Sequence, residues 1–171
     1  MTRFMRYTID IEPEHDVYRG LLSLGSAKCS TATLVLRDQH RSSNQTRILD
    51  LLDPFLREVR LVEEWPGTQL IGHKAELREY LVTSKLVEVL SNVADRLYAW
   101  HEPDHPEDLC LFRNCGQVWL ASISHERDAY LLISNEEVVE LRGKVPLLRL
   151  SRDEDNECGN LGHSTPAGPG T

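Results

Sequence analysis

The sequence predicts an α+β fold, a single domain in which a mostly antiparallel or mixed sheet carries about four helices, mainly on one face. Three observations support this class: segments that alternate apolar and polar residues, amphipathic helical segments between them, and tight turns that join neighbouring strands. Strands with one polar face favour this arrangement over a doubly wound parallel sheet, whose strands read as continuous apolar runs. With 171 residues, the chain is long enough to form a core of its own.

The chain begins with a predicted half-buried strand. Residues 3–11 alternate, and the apolar side chains of one face are Met5, Tyr7, Ile9 and Ile11. Pro13 suits the first turn of a helix that we expect to end at Gly25. A more deeply buried strand is predicted at residues 31–37, where the sequence is rich in Thr, Val and Leu.

A second helix is predicted after a polar loop. Ser42 and Gln45 have the spacing of a capping box. Apolar residues then follow at helical spacing, at Ile48, Leu52, Phe55 and Val59. Pro54 lies inside this segment, so we expect it to kink the helix or to divide it into two pieces.

The sequence of the remainder of the domain predicts hairpins and two more helices. The third helix is expected over 84–100, and a fourth, short helix begins at a second capping box, formed by Ser134 and Glu137. A polar break with two prolines spans residues 101–108. Strands are predicted at residues 68–71, 74–82, 109–113, 117–124 and 128–133, with a last apolar segment at 145–150.

The C-terminal segment predicts a flexible tail. Residues 151–171 hold one Leu and no aromatic residue, and they are rich in Gly, Pro, Ser and acidic residues. Such a segment buries too little apolar surface to offset the entropy of ordering its backbone. The sequence therefore predicts a domain over 1–150 and a tail over 151–171.

The charge balance disfavours several classes of partner. Lys and Arg total 19 against 27 Asp and Glu, which gives a net charge of −8 and a pI near 5.3. An acidic surface repels nucleic acid phosphates and anionic membranes, so we expect neither as a partner, whereas a basic protein would be attracted. The N-terminus lacks the apolar segment of a secretory signal, and no run approaches the length of a membrane span. We therefore expect a cytoplasmic protein.

A metal site is one candidate for chemistry. Two histidines four residues apart and two cysteines five residues apart would suit tetrahedral zinc: His101, His105, Cys110 and Cys115. Prolines interrupt the histidine pair, and none of the four cysteines lies in a CxxC motif. The alternative is that the histidines are solvated loop residues and the cysteines free thiols, as is usual in cytosolic proteins. We favour this alternative and predict no cofactor.

Acid–base chemistry is a second candidate. A histidine beside carboxylates at a turn between strands is able to shuttle protons. The residues concerned are Ser122, Ser124, His125, Glu126, Arg127 and Asp128. Successive residues of a strand point to opposite faces, so sequence neighbours rarely converge on one substrate. Because neither a nucleophile elbow nor a glycine-rich nucleotide motif is present, the favoured alternative is a charged turn with local salt bridges.

Recognition by exposed side chains is a third candidate. Trp, Tyr and Arg are typical anchors of binding sites. The candidate partner-binding residues are Trp65, Trp119, His125, Glu126, Arg127 and Asp128, with the alternative that both tryptophans belong to the core. An acidic stretch would face a basic partner or be a solvated surface, and its members are Glu102, Asp104, Glu107 and Asp108.

Three motifs resemble a series found in small uncharacterised bacterial proteins. They are WPGT at 65–68, PEDLC at 106–110 and WLASISHERDAYL at 119–131, and the resemblance covers residues 29–140. Those proteins are similar in size and acidity to the cytosolic immunity partners of bacterial toxins. The resemblance implies an interaction protein of bacterial type and carries no catalytic activity with it.

The leading hypothesis is a non-enzymatic, cytosolic protein-binding module, such as an inhibitor or immunity protein. It expects the polar side chains of the later hairpins to be dispersed over a water-facing exterior, and it fails if imidazole, thiolate or carboxylate groups gather about one ion or one enclosed hollow. The alternative is a small metal-dependent or acid–base enzyme with its site between His101 and Asp128. A third hypothesis is a homo-oligomer that makes its contact through Trp119 on an edge hairpin.

Overall fold

The computed structural model describes residues 2–153, and these form an α+β domain, as the sequence predicts. The helices are α1 (His15–Lys28), α2 (Ser43–Leu52), α3 (Ser84–Val93) and α4 (Asn135–Lys144). The strands are β1 (Met5–Ile9), β2 (Thr31–Leu36), β3 (Leu56–Val62), β4 (Glu64–Trp65), β5 (Thr68–Gln69), β6 (Ala75–Leu81), β7 (Glu107–Phe112), β8 (Val118–Ile123), β9 (Asp128–Ile133) and β10 (Leu150–Arg152). Short 3-10 turns occur at Asp53–Phe55, Leu97–Ala99 and Ser124–Glu126.

Eight of these strands form one antiparallel sheet. Their order is β10-β1-β9-β8-β7-β2-β6-β3, so β10 and β3 are the edges. Strands β4 and β5 form a separate two-stranded hairpin. The predicted antiparallel sheet is therefore confirmed, with β7, β8 and β9 at its centre.

The two faces of the sheet are buried in different ways. The largest apolar cluster joins the helices to one face and includes Tyr18, Leu34, Trp100 and Trp119. On the other face lie two smaller clusters, one around Trp65 and one around Ile123. Gly67, in the turn of the β4–β5 hairpin, has φ +83°, and a Cβ atom there would lie 2.3 Å from Cγ1 of Ile123. The hairpin therefore packs directly against β8.

Local capping signals have the predicted effect. The Ser42 hydroxyl accepts a hydrogen bond from the backbone N–H of Gln45 at the start of α2. Ser134 and Glu137 form a complete capping box at the start of α4. Each satisfies backbone donors that a helix N-terminus leaves unpaired.

The predicted end of the first helix is wrong. Helix α1 continues through Gly25 to Lys28. A Cβ atom at Gly25 would lie 2.6 Å from Cδ1 of Leu111 and 3.0 Å from Cζ3 of Trp119. Glycine is therefore present because the helix approaches the sheet closely here, and it does not terminate the helix.

The predicted second helix is too long. Helix α2 ends at Leu52, a 3-10 turn contains Pro54, and strand β3 begins at Leu56. Val59, which has helical spacing in the sequence, lies in this strand with 46% of its surface exposed. Proline interrupts the helix as expected, but the chain then changes to an extended conformation that the sequence analysis misses.

Two further boundaries differ from the sequence prediction. Helix α3 ends at Val93 and a 3-10 turn follows at Leu97–Ala99, so the predicted helix over 84–100 is too long. Ser151 and Arg152 pair with β1, which extends the domain beyond residue 150. The residues of the predicted tail after Asp153 lie outside the described residues. Between residues 2 and 153, no helix has the length and apolar character that a membrane span requires.

Candidate functional site

Four polar side chains converge at one end of the central strands. Arg37 directly follows β2, Glu107 and Asp108 begin β7, and His125 lies in the 3-10 turn after β8. We call these four residues the arginine–acid cluster. The expectation that the polar groups around the later hairpins are dispersed is therefore wrong for this part of the domain.

A β-bulge explains why both acids reach the same place. Val35 pairs with Glu107 and Thr33 pairs with Cys110, so β7 contains one more residue than β2 across this interval. Asp108 has a left-handed backbone conformation, with φ +57°. Bulges of this kind redirect side chains. Adjacent strand residues normally point to opposite faces, whereas Glu107 and Asp108 both lie on the side covered by the hairpin.

Asp108 is completely buried, and each of its two carboxylate oxygens accepts a hydrogen bond. Its Oδ2 accepts a hydrogen bond from Nε1 of Trp65, at 2.8 Å. Its Oδ1 accepts one from the backbone N–H of Ser124, also at 2.8 Å. The carboxylate thus connects the β4–β5 hairpin to the turn that carries His125, and it supplies the partner that a buried indole N–H needs.

Arg37 contacts each of the other members of the cluster. Its Nε lies 3.0 Å from Oε2 of Glu107, and its Nη2 lies 3.7 Å from Oδ2 of Asp108. The same Nη2 lies 3.3 Å from Nδ1 of His125. The guanidinium carbon also lies 5.0 Å from the centre of the Trp65 ring, within cation–π range.

Glu107 is buried between this guanidinium and two imidazoles. Its Oε1 lies 3.5 Å from Nδ1 of His101 and 3.3 Å from Nδ1 of His125. Burial raises the pKa of Glu107, and the charge of Asp108 raises it further, whereas Arg37 and His101 oppose the change. Perturbation by burial and by a neighbouring like charge is typical of functional sites and also of structural ion networks.

The ring of His125 has two alternative partners at one atom. In the tautomer protonated at Nε2, its Nδ1 accepts a hydrogen bond from Arg37. When Nδ1 carries a proton, it donates that proton toward Glu107. The side chain is 32% exposed, so the ring is accessible from solvent.

The cluster also has the composition of a cation site. One atom each from Glu107, Asp108 and His125 lie within 4.8 Å of one another. Two carboxylates and an imidazole suit several divalent metals. However, Arg37 already contacts all three groups, so a metal ion would have to displace the guanidinium. The arrangement is therefore that of a closed ion network.

Above this network lies an exposed polar surface. We call it the imidazole surface, formed by His101, His125, Glu126 and Arg127. Arg127 has φ +55°, and its Nη2 binds Oε2 of Glu12 at 2.9 Å. The loop geometry is thus fixed by contacts to the buried acids on one side and to Glu12 on the other.

The two tryptophans that the sequence suggested as exposed anchors of a binding site are both buried. Trp119 is fully buried in β8, at the centre of the sheet, so it is neither an exposed anchor nor an edge contact between copies. Trp65 is also buried, and its role is to hold Asp108. The remaining predicted partner-binding residues are accessible to a partner, and they are His125, Glu126, Arg127 and Asp128.

The four predicted zinc ligands are not brought together. His105 is 2.8 Å from the Val93 carbonyl oxygen through its Nε2, whereas His101 approaches Glu107. Cys110 is buried within the sheet, and Cys115 is exposed in the β7–β8 turn. The intervening strand separates these positions, so the spacing of the residues in the sequence does not produce a site.

Sequence reasoning missed Arg37 and misplaced the two acids. Glu107 and Asp108 are buried, whereas the sequence suggested a solvated acidic face. The available signal was an arginine directly after the apolar strand TATLVL, combined with two adjacent acids directly before the apolar residues of β7. Comparison of the chain with protein-family models, with curated proteins and with solved structures found no match.

Proposed function

We propose that this protein is a cytosolic, non-enzymatic protein-binding module that contacts its partner through the imidazole surface. The observation that supports the proposal is the closure of the arginine–acid cluster. Each oxygen of Asp108 accepts a hydrogen bond, from Trp65 and from the Ser124 backbone, and Glu107 is ion-paired with Arg37, so the protein itself supplies partners for both carboxylates. A buried network of this kind serves as a rigid support for the residues above it.

The surface itself suits recognition. Binding residues are commonly carried on loops that a rigid scaffold holds in place. Here the turn at Ser124–Glu126 is anchored through Asp108, and Arg127 is anchored through Glu12. A partner would therefore meet a surface that loses little conformational entropy on binding.

Charge favours a basic partner. The net charge of −8 steers cationic proteins toward the molecule, and two acidic residues are exposed: Glu126, which belongs to the imidazole surface, and Asp104, which follows His101 in the same loop. Together with the resemblance to immunity-like proteins, this charge supports an inhibitor or immunity role. Free cysteines, two of them buried, fit a reducing compartment.

Binding through this surface is tested by charge reversal. The immobilised full chain is used to capture a partner from the native host, and the stoichiometry of the captured protein is measured. Glu126→Lys is expected to lose this partner. Glu88→Lys, an equivalent reversal at an exposed position of α3, is expected to retain it. Absence of a stoichiometric partner, or equal capture by both variants, would contradict the proposal.

The second candidate function is acid–base catalysis at the same place. It is favoured by one observation, the contact of His125 with a buried carboxyl group whose pKa is raised. Such a pair is able to transfer a proton during hydrolysis.

A direct assay separates the two candidates. If the second holds, the wild-type protein hydrolyses a chromogenic ester or phosphodiester, and His125→Ala abolishes that activity while preserving the fold. If the first holds, both proteins lack this activity, and the partner binds to the wild type with measurable affinity.

A further inference from the structure

Strand β3 (Leu56–Val62) forms one edge of the sheet, with β6 as its only strand neighbour among residues 2–153. An edge strand directs half of its backbone donors and acceptors away from the sheet, where they are available to pair with another strand. Two of its apolar side chains are exposed: Val59 by 46% and Leu61 by 68%. This edge is therefore competent for strand addition.

We propose that β3 pairs antiparallel with β3 of a second copy of this chain, with Val59 on the two-fold axis. This pairing would join two eight-stranded sheets into one continuous sheet across an isologous interface. The interface lies at the sheet edge, two strands from β2, and does not use the imidazole surface. A result that contradicts the dimer proposal therefore leaves the proposal of partner binding through the imidazole surface untouched, and the reverse also holds.

Charge complementarity within the strand supports this partner. In an antiparallel pair centred on Val59, Glu58 of each copy lies opposite Arg60 of the other. Opposite charges at directly facing positions stabilise a strand pair, and like charges destabilise it. Leu56 would face Val62 and the two Val59 side chains would face each other, whereas Leu61 would lie opposite Arg57.

Other registers are less favourable. A pairing that keeps equivalent faces of the two sheets on the same side must be centred on a single residue. Centring on Glu58 sets two carboxylates against each other, and centring on Arg60 does the same with two guanidinium groups. The sequence LREVRLV thus favours the register centred on Val59 and disfavours the adjacent ones.

The charged residues are already oriented for this role. Nη1 of Arg60 lies 3.0 Å from Oε2 of Glu58 and 3.1 Å from Oε2 of Glu79 in the same chain. All three side chains extend along one face of the β3–β6 ladder. A second copy would add its own Glu58 beside Arg60, which extends the ion pairs into an alternating network across the axis.

The oligomeric state of the full chain tests the proposal. Sedimentation velocity over a range of concentrations is expected to show a monomer–dimer equilibrium for the wild type. Val59→Glu places a carboxylate opposite Arg78 in its own chain, which is favourable, but opposite a second carboxylate in the dimer. We expect this variant to be monomeric at concentrations where the wild type is dimeric. Val139→Glu, at an exposed valine of α4, is the matched control and is expected to dimerise like the wild type.

A charge exchange tests the register even if one variant is poorly stable. Glu58→Lys and Arg60→Glu are each expected to be monomeric, because like charges then face each other in the dimer. Mixing the two variants restores opposite charges at both facing positions, so a heterodimer is expected. A wild type that is monomeric at every concentration would overturn the proposal. So would a dimer that Val59→Glu leaves unchanged, or folded charge variants that fail to associate when mixed.

Discussion

Arg37 Nε lies 3.0 Å from Oε2 of Glu107, and through its Nη2 the same guanidinium approaches Asp108 and His125. Two buried carboxylates without a cation would be very unfavourable, because burial and mutual repulsion both oppose their ionisation. The protein supplies the cation from its own chain, at the end of β2. The Arg37 guanidinium thereby contacts a group of side chains that would otherwise resemble a metal site.

The link between Trp65 and Asp108 is expected to stabilise the fold. Trp65→Phe removes the indole donor and leaves Oδ2 of the buried carboxylate without that hydrogen bond. The expected loss in the free energy of unfolding is about 1–3 kcal/mol. Urea denaturation measures it. Trp119→Phe is the matched control, since Nε1 of Trp119 has no hydrogen-bond partner to lose. A smaller loss for Trp65→Phe than for Trp119→Phe would contradict this role.

Close contact between α1 and the sheet makes Gly25 sensitive to substitution. Gly25→Ala would place its Cβ atom 2.6 Å from Cδ1 of Leu111. We expect a loss of about 1–3 kcal/mol in the free energy of unfolding, because inserted atoms force neighbouring side chains to move. In α4, Gly143→Ala meets no atom within 4 Å, so it should instead stabilise the protein by about 0.5–1 kcal/mol. Thermal and urea unfolding of both variants check the opposite signs, and equal effects would refute the explanation.

Acidification is expected to weaken the attachment of α4. Burial alone would raise the pKa of Glu137, but hydrogen bonds from Arg113, at 2.8 and 2.9 Å, and from the Ser134 backbone lower it. A carboxyl group whose pKa is lowered by folding stabilises the native state above its unfolded pKa. That stabilisation is lost as the pH falls below the ordinary value of 4.5 and through the lowered one.

The measurement compares urea unfolding at about pH 7 and about pH 3 for the wild type and for Glu137→Gln. The amide does not titrate, so the difference between the two pH values should be smaller in the variant. An identical pH dependence would show that the Arg113–Glu137 contact contributes nothing to acid sensitivity.

The cysteines are expected to differ strongly in reactivity. Burial raises the pKa of Cys29 and of Cys110 to about 12, and the thiolate is the reactive form. Cys115 is exposed in its turn. In a Cys158→Ser background, a thiol reagent should therefore modify one cysteine quickly in the native protein and all three after denaturation. Rapid native modification of Cys110, detected by peptide mass, would contradict the buried position.

The regular elements of the fold could be predicted because their signals are local. Alternation at residues 5–9, the caps at Ser42 and Ser134, and the apolar stripe of α3 each lie within a single element. Strand β3 was missed because Val59 continues a helical spacing by coincidence, and only the sheet context selects the extended conformation.

The site could not be predicted either, and the reason differs from the one that applies to strand β3. Its assembly depends on the bulge at Asp108, which places two consecutive acids on one face, and on pairing between β2 and β7, which are distant in sequence. The alternation of a regular strand predicts that the side chains of adjacent residues point to opposite faces. A run of acids with prolines is typical of a solvated loop. Burial of the pair is a tertiary property, stabilised by Arg37 and Trp65.

The closure of the arginine–acid cluster is tested most directly by calorimetric titration with zinc at neutral pH. Because Arg37 contacts all three candidate ligand groups, wild type and His125→Ala should give superimposable isotherms. A one-to-one site in the wild type that disappears in His125→Ala would show that a metal ion displaces the guanidinium, and the cluster would then be a metal centre.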